Sequence, residues 1–171
     1  MNNAWVKYGL IFLLVVLLQG LVVNNLELNV YFHPMIYPIM ILILPFETNS
    51  FVSMTIALVL GLAIDAFSNT FGLHASAAML IGYLRPTILR YLRPRDGYDP
   101  SLLPTIHDMG IVWFLAYSAF ILFLHHLWFF SFEILRFDLI LLIVMKTFAS
   151  LLISLLLVII FQYIFYKPSK K

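Results

Sequence analysis

Two charged side chains lie where charge is costly. Asp65 falls near the end of the apolar run 51–68, in GLAIDAFS, and Lys146 falls inside the run 138–166, in LLIVMKTFAS. Insertion into the middle of a membrane helix costs about 3 kcal/mol for either group. Pairing offsets that cost, and removing one partner then hurts more than removing both. At the helical rise, Asp65 sits about 5 Å below the outer end of its run and Lys146 about 12 Å below the outer start of its own, a gap that a lysine stem spans. The expectation is an Asp65–Lys146 ion pair in the outer half of a helical bundle. It would serve helix register, partner contact or a small-molecule pocket.

The remaining polar residues offer less chemistry. His125 and His126 are adjacent, so they face different directions and lack the i,i+4 spacing of a helical metal site. With Trp128 nearby they read as interfacial. Gln19 reads as an interhelical hydrogen bonder, and Glu133, Arg136 and Asp138 as an outer loop whose charges neutralise one another. The sequence shows no Ser/His/Asp set, no phosphate-cradling Gly loop and no carboxylate pair, so neither an enzyme nor a cofactor or metal site is expected. The chain has no cysteine, which excludes disulfides and thiolate ligands.

The elements that position these residues are apolar throughout. Of 171 residues, 63% are hydrophobic and 11% charged, with a mean hydropathy of +1.01. A soluble domain is nearer half apolar and a quarter charged. The fold class expected is therefore all-α, a polytopic membrane protein forming a single transmembrane domain over 1–171. Six spans are read at about 6–24, 30–46, 51–68, 71–92, 108–130 and 138–166. The N-terminal run ends in Asn24-Asn25 without a small-residue cleavage site, so it reads as a retained first helix and not a signal peptide.

The second span is thin and holds Pro34, Pro38 and Pro45. It could cross or form a re-entrant hairpin, and charge bias favours a crossing. With six crossings, Lys7, Arg85, Arg90, Arg93, Arg95, Lys167, Lys170 and Lys171 fall on one side and Arg136 opposite, as the positive-inside rule expects. Both termini are then cytoplasmic, and the second span is kinked at its prolines. Residues 85–107 form a cytoplasmic interfacial loop, with Ile88, Leu89 and Leu92 against the membrane and Arg90 and Arg93 toward anionic lipid headgroups. Pro94, Gly97 and Pro100 break any helix after it. Arg85, Arg90, Arg93, Arg95, Asp96 and Tyr98 are the candidates for a topology anchor or a docking surface. Nucleic acid is not an expected partner, because the basic residues lie against membrane segments.

Small residues mark helix packing. Ser53, Ala57, Gly61, Asp65 and Asn69 recur every four residues and form one ridge on a helix. Ala75, Ala78 and Gly82 repeat the pattern in the next span. Such ridges let backbones approach closely in lipid. Lys146, Ser150 and Ser154 form a third polar stripe, turned away from lipid.

The stretch GLAIDAFSNTFGLHASAAMLIGYLRP resembles the central signature of the MreD family of rod-shape-determining membrane proteins. That signature is a Gly-x-x-x-Asp closing one helix, a Gly soon after, and an apolar run ending in Gly-Tyr. Gly61, Asp65, Gly72, Gly82 and Tyr83 occupy those positions, and YLRPRDGYDP resembles the loop of Bacteroidetes-type members. The resemblance implies a non-enzymatic scaffold of the bacterial inner (cytoplasmic) membrane, part of the peptidoglycan elongation machinery that maintains rod cell shape. Its implied partner is an MreC-type single-span protein and, through it, MreB, RodA and a class B penicillin-binding protein. The family is also similar in fold to the S components of energy-coupling-factor transporters, which gives an alternative: a small-molecule-binding subunit of an ABC-type vitamin transporter. S components carry an Ala-x-x-x-Ala ridge on the first helix, whereas YGLIFLLVVLLQGLVV has no alanine, which favours the scaffold.

Overall fold

The computed structural model describes residues 3–26 and 29–166. The expected basic tail, Lys167, Lys170 and Lys171, lies outside the described residues. Among the described residues the chain is all-helical, with no strand. Helix α1 (Asn3–Leu17) runs on through a π-helical turn, Leu18–Val22, and a tighter turn, Val23–Asn25. Then come α2 (Ile39–Leu42), α3 (Ser50–Ser68), α4 (Leu73–Tyr91), α5 (Ile106–Met109), α6 (Ile111–Ile134) and α7 (Ile140–Phe165).

Four segments are long and apolar enough to cross a membrane: Val6–Asn25, Ser50–Ser68, Ile111–Ile134 and Ile140–Phe165. Each buries only 33–39% of its most apolar window within the bundle. The outward faces are leucine-rich, with Leu10, Leu13, Leu152 and Leu156 more than half exposed. Apolar surface that continuous is a contact for lipid or protein and not for water. Helix α4 has 19 residues but carries Arg85 and Arg90, and it is not among the four.

The segment 30–46 departs from the expected proline-kinked helix. It holds only the single turn α2, and the rest is extended or turned. Pro34, Pro38 and Pro45 explain this, since each lacks an N–H and restrains the residue before it from helical angles. Residues 34–44 are nonetheless all buried. A non-helical strap therefore forms the centre of the bundle.

The loop expected over 85–107 also begins later. Helix α4 continues to Tyr91, with Arg85, Ile88 and Leu89 buried, so no separate interfacial helix forms. Two anchors hold the chain beyond it: the Tyr98 hydroxyl donates to Leu89 O (2.8 Å) and the Trp113 indole N–H to Leu92 O (3.0 Å). Tyr98 also stacks on Phe46, with ring centroids 4.1 Å apart.

Helices α3 and α4 form a hairpin packed along its length. Asn49 starts α3 by accepting the Val52 N–H (2.9 Å). Asn69 ends it in a left-handed conformation (φ 53°), which asparagine tolerates. Gly72 (φ 79°) then turns the chain into α4. A Cβ on Gly61 would clash with Ala75 Cα, and one on Gly82 would lie 2.9 Å from Ser53 O. Ala78 is fully buried between them along α4. Gly61→Ala should therefore lower stability by about 1–3 kcal/mol through overpacking. Gly9→Ala, with nothing within 4 Å, should leave it unchanged or raised. Denaturation of the two purified variants measures the difference.

Candidate functional site

The strap satisfies only the backbone around α2 for itself, where the Ile39–Ile43 N–H groups bond to carbonyls three or four residues back, and surrounding helices serve the groups on either side with side chains. From α7, the Ser150 hydroxyl accepts the His33 N–H (2.9 Å) and the Ser154 hydroxyl accepts the Met35 N–H (2.8 Å). From the π-turn after α1, Gln19 accepts the Ile36 N–H (2.7 Å) and donates to Pro34 O (3.2 Å). At the other end of the strap, Tyr117 of α6 donates to Leu42 O (3.1 Å). Arg85 of α4 donates to Leu44 O, to Pro45 O (3.3 Å) and to the Tyr117 hydroxyl (2.9 Å). Backbone polar groups buried without a partner are rare because each costs as much as a lost hydrogen bond. Non-helical backbone at membrane depth is tolerated only where protein or a water-filled cavity surrounds it. The serine stripe of α7 thus serves a segment more than a hundred positions away.

Arg85 departs from its expected place on a cytoplasmic surface. Its side chain is fully buried, and its guanidinium is spent on two strap carbonyls and a tyrosine. His125 and His126, expected at the interface, are fully buried too. His125 Nε2 meets the Tyr37 hydroxyl at 2.5 Å. His126 Nδ1–H donates to Leu122 O (2.7 Å), and its Nε2 meets the Ser154 hydroxyl (3.0 Å). One ring therefore touches a strap side chain, and the other touches a serine that holds the strap's backbone.

Asp65 and Lys146 are not brought together. Asp65 caps α4 from the neighbouring helix: its Oδ1 accepts the His74 N–H (3.0 Å) and its Oδ2 the Ala75 N–H (3.0 Å). Thr70 Oγ1 also donates to Oδ1, and His74 Nδ1 lies 3.0 Å from it. The first N–H groups of a helix lack internal acceptors and carry the positive end of its dipole. They and the threonine hydroxyl compensate the buried carboxylate. Lys146 instead donates to Glu133 Oε2 at 2.6 Å and lies over the Phe130 ring, 4.9 Å from its centroid. The expected pairing rested on depth alone, and each charge has a nearer partner. The outer charges divide accordingly, since Arg136 pairs with Asp138 (2.6 Å) and leaves Glu133 to Lys146.

The other basic candidates lie at the surface. Arg90, Arg93, Arg95 and Asp96 are exposed, and Tyr98 is half-buried. Arg90, Arg93 and Tyr98 border a groove of about 270 Å³ with Phe46, Glu47 and Pro100. Farther round the loop, the side chain and backbone N–H of Ser101 both donate to Asp99 and hold its carboxyl below the usual range.

A larger cavity of about 510 Å³ opens where the irregular pieces meet: the π-turn, the start of the strap and the α3–α4 turn. Gln19, Asn24, Asn29, Ser68, His74 and Glu133 are among its polar lining. Sequence reading missed it, because its walls come from turns whose meeting depends on the strap. Among the described residues, no three His, Asp or Glu side chains converge as a metal site requires. No family model, curated protein or solved structure matches the chain.

Separate partners for Asp65 and Lys146 have a measurable consequence. Asp65→Ala strands two buried N–H groups, at about 1–3 kcal/mol each. The swap Asp65→Lys with Lys146→Asp should rescue nothing. A double-mutant cycle by denaturation should give a coupling below about 0.5 kcal/mol. A larger favourable coupling would restore the direct pair.

Proposed function

We propose that the chain is a non-enzymatic scaffold of the bacterial inner membrane, an MreD-like component of the side-wall elongation machinery that binds an MreC-type single-span partner. The α3–α4 hairpin is the observation that carries this reading. Four of the five residues bearing the resemblance do one mechanical job there, while the fifth, Tyr83, is exposed on α4. Gly61 and Gly82 admit the opposing helix, Gly72 makes the turn, and Asp65 caps α4. A motif whose members fix one rigid hairpin suits a platform better than a reaction centre. The interior points the same way, because Gln19, Arg85, Tyr117 and Ser154 are engaged in holding the strap.

The proposed topology is six passes with both termini cytoplasmic. Four passes are the long apolar helices, α4 is a fifth, and the strap is the sixth, a passage of the chain that is not a helix. Lys7 lies over the Tyr166 ring, 4.8 Å from its centroid, so α1 begins where α7 ends. His107 meets Tyr163 edge-on at 5.7 Å, which brings the segment after the arginine loop to that same end. The positive-inside rule makes that end cytoplasmic. The exposed leucine faces of α1 and α7 then offer surface to a partner's membrane helix, with the partner's outer segment near Glu133.

Co-purification from gently crosslinked native membranes, with this chain as bait, tests the proposal. Recovery of an MreC-like single-span protein with wall-synthesis enzymes is the expected result. Recovery of an ABC-type ATPase pair with a coupling subunit would overturn it in favour of a transporter subunit.

A further inference from the structure

The 510 Å³ cavity is not explained by a scaffold. Its size falls within the range of about 300–1,000 Å³ that small-molecule sites occupy. Its chemistry narrows the occupant. Three asparagines, Asn24, Asn25 and Asn29, line it, together with Ser68. Several of these groups keep hydrogen-bonding capacity that no described group uses. Asn29 takes the Tyr31 N–H on Oδ1 and leaves its amide N–H₂ free. Asn25 donates to Leu21 O and leaves its carbonyl oxygen free. Ser68 accepts from Asn24 and leaves its own hydroxyl hydrogen free.

Charge narrows it further. Glu133 is the one carboxylate among the described lining residues, and Lys146 already neutralises it. No lysine or arginine is among those residues, and of the two histidines there, His74 already faces the Asp65 carboxylate, so His33 is the one uncommitted basic group for an anion. The apolar part of the wall holds three aromatic rings, Phe32, Phe67 and Phe129, among aliphatic side chains such as Val23, Val30 and Met35. Flat apolar faces beside amide and hydroxyl groups of both donor and acceptor type suit a ligand with one C–H face and many neutral hydroxyl or amide groups.

From this we infer that the cavity is a binding site for a neutral saccharide, presented either as a lipid headgroup or as a free sugar. The site goes beyond the scaffold role and does not depend on it. The cavity opens at the end of the bundle that carries Ser68, Thr70 and Glu133, opposite the arginine loop.

The test uses the full chain in nanodiscs, prepared with a sugar-free detergent because glycoside detergents would compete. The probes are tritiated N-acetylglucosamine and the same sugar on a twelve-carbon alkyl chain. Saturable binding is expected. It should weaken at least tenfold in Asn29→Ala with Ser68→Ala and in Asn29→Trp, which fills the cavity from an exposed, non-helical position. Arg90→Ala, at the other end, should bind normally, and matching thermal unfolding shows that the variants fold. Tenfold tighter binding of the alkyl-linked sugar identifies a membrane-borne headgroup, and equal binding identifies a free saccharide. No saturable binding of either probe, undiminished binding in the variants, or displacement by inorganic phosphate would overturn the site.

Discussion

A stretch of backbone with a single helical turn runs through the middle of an apolar bundle, and four surrounding segments supply the hydrogen bonds it lacks. Helices and closed barrels cross membranes because they consume their own N–H and C=O groups. The strap does so only around its single helical turn, so α4, α6, α7 and the turn after α1 each contribute side chains to the rest. Each group left unpaired in so apolar a place would cost several kcal/mol. The prolines reduce the demand, because Pro34, Pro38 and Pro45 have no N–H to satisfy. The same prolines that prevent a helix also make its absence tolerable.

The packing of α3 on α4 is written in local spacing. Ser53, Ala57 and Gly61 recur at four-residue intervals, and all three lie on the buried face of α3. The four long apolar helices are equally plain, since each is a continuous run. The strap was not legible, because an apolar stretch with prolines reads the same whether it is a kinked helix or a buried coil. Its partners lie as far as 119 positions away, where a serine stripe gives no sign of what it bonds. Asp65 illustrates the same limit. Its partners, His74 and Ala75, follow the next turn, and the left-handed Asn69 and the Gly72 turn bring them back to it. Sequence depth suggested a lysine instead. Arg85 sits in what reads as a basic cluster, and nothing in the sequence separates the buried arginine from the exposed ones beside it.

These arrangements join the two ends of the molecule. At one end the carboxylate cap fixes the α3–α4 turn, which forms one wall of the polar cavity; the π-turn and the start of the strap form others. At the other end Arg85 and Tyr117 hold the strap where it leaves the bundle, beside Phe46 and the docked Tyr98. The molecule thus carries a polar cavity at one end and an anchored basic loop at the other, joined by the strap.

The most direct measurement is amide hydrogen exchange over residues 31–45 of the full chain in nanodiscs. A strap held by side chains predicts that the His33, Met35 and Ile36 amides exchange as slowly as the helix interiors, and that Gln19→Leu releases Ile36 first. Exchange at those amides as fast as in the exposed loop around Asp96 would contradict the strap, and with it the arrangement of every helix that contacts it.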